Sequence, residues 1–227
     1  MTSAITDLWG FRTDDVWATG VSGVDQRWSG SAWVSGDNDS YFDGAALFAA
    51  STGEIFKAGS LALRRWWPVS NAWGDASSRA PYGTVDVWGN SAADVWAVIN
   101  SNLSHFDGTT WASVTSGAPT TLKAIWGSGP FDVWAVGRAG TLVHRVTSWS
   151  VVSSPTSNDL NALWGSAAND IWAVGASGTI VHFNGSTWSS VASGTTTTLT
   201  AIHGALTLGV GLGRLLSAHR MVDYRTT

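Results

Sequence analysis

Along most of the chain, apolar runs of four to six residues alternate with short breaks rich in Gly, Asn, Asp and Ser. Residues 159–197 show the pattern most clearly. They read "LNALWG", polar "SAAN", "DIWAVG", "ASG", "TIVHF", the dipeptide Asn184-Gly185, then "STWSSVA". Runs this short, without a helical period and rich in Val, Ile, Thr and Trp, predict β-strands. Asn-Gly and Asp-Gly between such runs predict tight turns, because these residues tolerate positive φ. Apolar and polar positions do not alternate cleanly within a run, as is expected of strands covered on both faces.

The pattern repeats. Trp88, Trp126 and Trp164, each followed by Gly, stand 38 residues apart. Trp9 lies 79 residues before Trp88 with Phe48 near the midpoint, and His203 follows Trp164 by 39. A second column, eight residues later, holds Trp17, Phe56, Trp96, Trp134 and Trp172. A third holds His105, His144 and His182, with Arg27 and Trp66 assigned to that place in the first two copies. A fourth closes each copy with Trp33, Trp73, Trp111, Trp149 and Trp188, while Trp28 and Trp67 align with Phe106 and Phe183.

Four short strands per repeat predict an all-β chain, a β-propeller of about six four-stranded blades in one domain. The repeats run approximately over 5–43, 44–82, 83–120, 121–158, 159–197 and 198–227. The last is degenerate: it keeps "LTAIHG" but loses the closing Trp. Copy two also diverges, through the looser linker "GDASSRAPYG". Large aromatics would fill the wedge that widens between blades from axis to rim.

Composition narrows the function classes. Sixteen Trp and 26 Gly accompany 44% hydrophobic and only 12% charged residues. Trp at this density means either anchors repeated by architecture or platforms for ligands. The net charge is −4 and the 12 basic residues are scattered, whereas a nucleic-acid groove needs a concentrated positive field. With no cysteine there is neither a disulfide framework nor a thiolate metal site. No apolar run is long enough to cross a membrane, so no membrane insertion is expected. A secreted or cell-surface location is favoured, although "MTSAITDLWG" lacks the form of a signal peptide.

The segments "AIWGSGPFDVWAVGRAGTLVHR" and "ALWGSAANDIWAVGASGTIVHFNGSTW" resemble tectonin-type lectin repeats and the Trp-rich propeller repeats of myxobacterial surface and secreted proteins. The resemblance is good over copies three to five, fair over copy one, and weak over copies two and six. It implies a propeller binding carbohydrate through sites repeated around the ring. "SHFDGTTW" also resembles the Asp-box of sialidase-type propellers, a structural turn, with Phe106 where that motif carries Asp.

Catalysis is not expected. Glycoside cleavage asks for two carboxylates facing across a sugar bond. The one Glu, Glu54, falls in a column otherwise held by Asp15, Asp94, Asp132 and Asp170. A carboxylate recurring blade after blade reads as architecture, capping backbone N–H groups of the preceding loop. The three His lie in different blades, too far apart to share a metal ion, and each is expected to serve a neighbouring strand.

Sugars stack C–H faces on aromatic rings and take hydrogen bonds from Asp, Asn or His. The carbohydrate candidates are therefore Trp88, Trp126, Trp164, His105, His144, His182, Asp107, Trp111, Trp149 and Trp188. The leading expectation is a non-enzymatic, lectin-like propeller with repeated weak sites for glycans or cell-surface polysaccharide, multivalent and open to oligomerisation. No cofactor or metal is called for. The alternative is a protein-interaction or structural scaffold, whose site would be made by residues unique to a few blades. A glycan-cleaving enzyme is the least supported reading.

Overall fold

A computed structural model describes residues 4–12, 14–21, 25–35, 44–59, 61, 63–70, 72–75, 82–99, 102–204 and 216–217. No α-helix occurs among them. Strands β1 (Ile5–Arg12), β2 (Asp15–Gly20), β3 (Asp25–Trp28) and β4 (Trp33–Ser35) form the first antiparallel sheet in chain order. The second consists of β5 (Gly44–Ala49), β6 (Ile55–Gly59), β7 (Leu63–Trp67) and β8 (Ala72–Asp75). The third consists of β9 (Thr84–Ser91), β10 (Asp94–Ile99), β11 (Asn102–Phe106) and β12 (Trp111–Val114).

The fourth sheet comprises β13 (Leu122–Gly129), β14 (Asp132–Gly137), β15 (Leu142–Arg145) and β16 (Trp149–Val152). The fifth comprises β17 (Leu160–Ala167), β18 (Asp170–Gly175), β19 (Ile180–Phe183) and β20 (Trp188–Val191). Of copy six, β21 (His203–Gly204) pairs with β22 (Leu216–Ser217). The rest of its degenerate end lies outside the described residues, as does most of the copy-two linker.

Contacts divide the chain into two compact units, Met1–Thr115 with the first three sheets and Ser116–Thr227 with the others. Within the first unit β5 packs against β1 and β9; within the second β17 packs against β13 and β21. First strands therefore neighbour first strands, the arrangement of blades about an axis. The two aromatic columns eight residues apart are cross-strand partners: Trp9 faces Trp17, Phe48 faces Phe56, Trp88 faces Trp96, Trp126 faces Trp134 and Trp164 faces Trp172.

The core lies between sheets. Leu47, Ile55 and Trp66 of sheet two join Trp17 of sheet one. Val95, Phe106 and Trp111 of sheet three join Phe56 of sheet two. In the second unit Leu163, Ile171 and Trp188 cluster with Trp134. Middle strands such as β18 are buried along their whole length, which is why apolar residues fill them without alternation.

The segment "SAAN", expected as a four-residue loop, is shorter. Strand β17 runs on to Ala167 through a bulge between Gly165 and Ala167, leaving a two-residue turn. Ser166 closes it, donating its hydroxyl hydrogen to Asp170.

Register also corrects copy two. Arg65, not Trp66, lies opposite Phe56, as Arg27 lies opposite Trp17 and His105 opposite Trp96. Trp66 then pairs with Trp73 as Phe106 pairs with Trp111, so Trp66 rather than Trp67 matches Phe106. The β6–β7 connection is one residue shorter than in copy one, and counting along the chain missed the step.

Candidate functional site

The third-column histidines are each held in a clasp built from one sheet. In sheet four, Asp132 opens β14, Trp134 follows two residues later, and His144 stands opposite Trp134 on β15. The imidazole stacks on the indole at 3.8 Å and 11°, and its Nε2 donates to Asp132 Oδ1 at 2.6 Å. Trp134 Nε1 donates to the same oxygen at 3.1 Å, and the Ser128 hydroxyl donates to Oδ2. Sheet five repeats the set: His182 stacks on Trp172, and both they and Ser166 donate to Asp170. In sheet three His105 stacks on Trp96 and donates to Asp94 at 2.7 Å.

Copies one and two build the same clasp around a guanidinium. Arg27 lies over Trp17 and donates twice to Asp15; Arg65 lies over Phe56 and donates to Glu54. The carboxylate column thus binds side chains of its own blade, a role the sequence reading did not assign to it. Burial opposes the charged form of Asp132, but hydrogen bonds from His144, Ser128 and Trp134 outweigh it and hold the carboxyl below its ordinary value. At Glu54 burial is likewise outweighed by Thr52 and Arg65. Among the described residues no group of three or more His, Asp or Glu could hold a metal ion.

In the inner column Trp126 and Trp164 pack against the blade that follows. A Cβ added at Gly165 would stand 2.5 Å from the Trp126 ring, and one at Gly204 would stand 2.4 Å from Trp164. Phe48 fills the same place over Gly89. At Gly89, Gly165 and Gly204 the glycine is therefore the surface on which the preceding blade's ring lies. Trp88 is half-buried on β9, opposite Trp96.

The outer Trp rings named as sugar candidates are covered or half-buried. Trp111 stacks on Phe106, and Trp188 lies against Phe183 and Trp134. They are only 9% and 8% exposed, and Trp149 is half-buried. Rings placed this way contribute inter-sheet packing and present little face for a sugar.

Asp107 is exposed and caps its own turn, accepting the backbone N–H groups of Thr109 and Thr110. Those bonds, Thr110 first, hold its carboxyl below the ordinary value. Asn184 does the same for Ser186 and Thr187. The first and third turns of a blade meet at one end of the sheet: a Cβ at Gly108 would stand 2.8 Å from Ala93, and one at Gly185 would stand 2.7 Å from Asn169.

Copy four departs from its neighbours at this end of the sheet. Phe131 replaces Ala93 and Asn169 in the first turn, and Arg145 replaces Phe106 and Phe183. Val146-Thr147-Ser148 replaces the Asp-Gly or Asn-Gly turn. Phe131 is 67% and Val146 53% exposed. The Arg145 guanidinium lies over the Phe131 ring at 6.0 Å and donates to the Pro130 carbonyl. Neither Phe131 nor Arg145 stood among the sequence candidates; the legible signal was their departure from the column, not their agreement with it.

No protein-family model and no curated protein matches this sequence. Solved structures do resemble it. YCF48 bound to a D1 peptide superposes with a TM-score of 0.66 at 12% identity, over 81% of this chain and 65% of that one. The WD40 repeats of RRP9 give 0.67 at 10%, over 84% and 64%. A chain of the nidogen/laminin complex gives 0.64 at 10%, over 80% and 76%. This chain thus spans under two thirds of the first two. With identities so low the likeness speaks for fold alone, and together with the five four-stranded sheets it establishes the chain as a β-propeller repeat protein.

Proposed function

We propose that this propeller is a non-catalytic binding module for polypeptide, and that the copy-four surface of Pro130, Phe131, Arg145 and Val146 is where a partner docks. The observation that carries this reading is the contrast between columns and exceptions. The repeated Trp, His and Asp side chains are engaged within and between blades. The large exposed side chains Phe131 and Val146 at the turn end of sheet four have no counterpart in the neighbouring sheets three and five. A site made of unique residues suits one extended partner better than a ring of equivalent sugars. An exposed aromatic ring with a guanidinium stacked on it supplies the side-chain types that carry most energy in protein interfaces.

Two similar folds support it by what their names record: YCF48 was solved bound to a D1 peptide, and the other is a chain of a nidogen/laminin complex. A glycan reading through Trp88, Trp126, Trp164, Trp111, Trp149 and Trp188 would need rings that are here buried or half-buried.

Selection of peptides from a displayed library on the purified protein, with a glycan array in parallel, tests the proposal. A selected peptide should bind saturably by calorimetry and lose at least about tenfold in affinity, about 1.4 kcal/mol, on Phe131→Ala with an unchanged circular-dichroism spectrum. Glycan binding without peptide binding, or peptide binding indifferent to Phe131→Ala, would overturn it.

A further inference from the structure

The turn between β19 and β20 of sheet five carries the chain's one Asn-Gly dipeptide, Asn184-Gly185. The Asn184 backbone N–H donates to the Thr187 carbonyl at 3.3 Å. Its side-chain Oδ1 accepts the backbone N–H groups of Ser186 and Thr187, each at 3.0 Å. Residues 184–187 are all exposed. The fold demands the glycine: Gly185 has φ 94°, and a Cβ there would stand 2.7 Å from the Asn169 Cβ. The residue before it varies between copies. The same turn is made by Ser29-Gly30 in sheet one and by Asp107-Gly108 in sheet three, with φ 89° and 94° at the glycines.

Asn is the reactive choice among these three. A backbone nitrogen can add to the side-chain carbonyl carbon of the Asn before it, and a glycine nitrogen does so without a side chain in the way. Negative charge then gathers on Oδ1, the atom that already accepts two backbone N–H groups, and donors so placed stabilise an oxyanion. At Asp107 the same donors act in the opposite sense. Thr110 and Thr109 hold that carboxyl below its ordinary value, hence ionised, and a carboxylate resists attack by nitrogen.

We infer that Asn184 is a self-modifying site, at which the folded turn converts its own amide into a carboxylate. The Gly185 nitrogen bonds to Cγ of Asn184, its proton leaves with the side-chain NH2 group as ammonia, and a five-membered imide forms. Water then opens the ring, its hydroxyl adding to one of the two carbonyl carbons and its proton returning to the nitrogen. One direction of opening leaves aspartate at position 184 and the other isoaspartate, and both add a negative charge to an exposed turn. The aspartate form is the turn that sheet three already has, where Asp107 accepts its two N–H groups at 2.8 Å, so the blade accommodates the product.

The purified protein, incubated at pH 8 and sampled over weeks, tests this by peptic digestion in acid, where ring closure stops, and mass spectrometry. The peptide holding Asn184 should gain about one dalton, the difference between an amide and an acid, well before peptides holding Asn90, Asn158, Asn161 or Asn169. Asn184→Ser, which places the copy-one residue in the turn, should abolish the gain with the β-sheet spectrum unchanged. The same chain unfolded in urea serves as the reference for rate. No gain at Asn184 would overturn the proposal, as would a gain no faster than at the other four asparagines. A folded rate more than about tenfold below the unfolded one would also overturn it, by showing that reaction passes through opened molecules rather than the native turn.

Discussion

At the scale of the residue, the third column is a cation seat as much as a histidine column. A carboxylate at the head of the second strand and an aromatic ring two residues later receive imidazole in three blades and guanidinium in two. The carboxylate carries the arrangement, since in sheet five three donors converge on Asp170. Asp170→Ala should cost about 1–3 kcal/mol in urea unfolding, because it strands the Trp172, His182 and Ser166 donors in a largely buried place. His182→Arg should cost well under half as much, since copies one and two already hold Arg in this seat.

Asp7 gives a pH dependence of its own. Burial pushes its carboxyl up to about 6, against the opposing backbone N–H bonds from Leu47 and Leu8. A carboxyl raised in the folded state contributes stability that is present below its unfolded value, near 3.9, and is lost as pH rises through about 6. Unfolding free energy should therefore fall between pH 4 and 7 more steeply in the native protein than in Asp7→Asn. Parallel slopes would refute the assignment.

At the scale of the element, the Trp-Gly dipeptide is half of a contact made between neighbouring sheets. The ring belongs to one blade's core and the glycine is the floor for the ring before it, so both recur at the same period. Gly165→Ala would drive a methyl into the Trp126 ring and should destabilise by about 1–3 kcal/mol. Gly129→Ala, on the same kind of strand but with nothing within 4 Å of the added Cβ, should change thermal stability by no more than about 0.5 kcal/mol. Equal effects would show that backbone freedom rather than ring contact explains these glycines. The strands and their turns were legible in advance because the signals are local: Asn184-Gly185 needs only its own backbone, and β18 only its run of apolar residues. The role of glycine in Trp-Gly was not, since the atoms that require it lie about 38 residues away, in the preceding blade.

At the scale of the whole molecule, repetition leaves open which repeat should neighbour which. Copies one and two carry a mark the others lack. Lys57 stands in a column otherwise held by Ala18, Ala97, Ala135 and Ala173, and Asp25 in one held by Leu63, Leu103, Leu142 and Ile180. Each is an anomaly in its own repeat; across the interface between sheets one and two they form a buried ion pair. Thr19 donates to the same carboxylate, and Lys57 lies over the Trp73 ring. Lys57→Met should cost about 3–5 kcal/mol by leaving Asp25 buried and uncompensated, while the pair Lys57→Met with Asp25→Leu should recover most of that loss in a denaturant double-mutant cycle. Additive costs would mean that the two charges are not coupled.

By itself the sequence determined the repeat, its length, the four strands of copies one to five, and the propeller class. All of these follow from period and local propensity. Only the tertiary structure decided what each aromatic and each charge is for, because that depends on which side chain another part of the chain brings against it. Trp111 and Trp33 occupy the same column, and one is core while the other faces outward. The physical difference is whether a neighbouring sheet lies over the ring, and no residue within either copy records that.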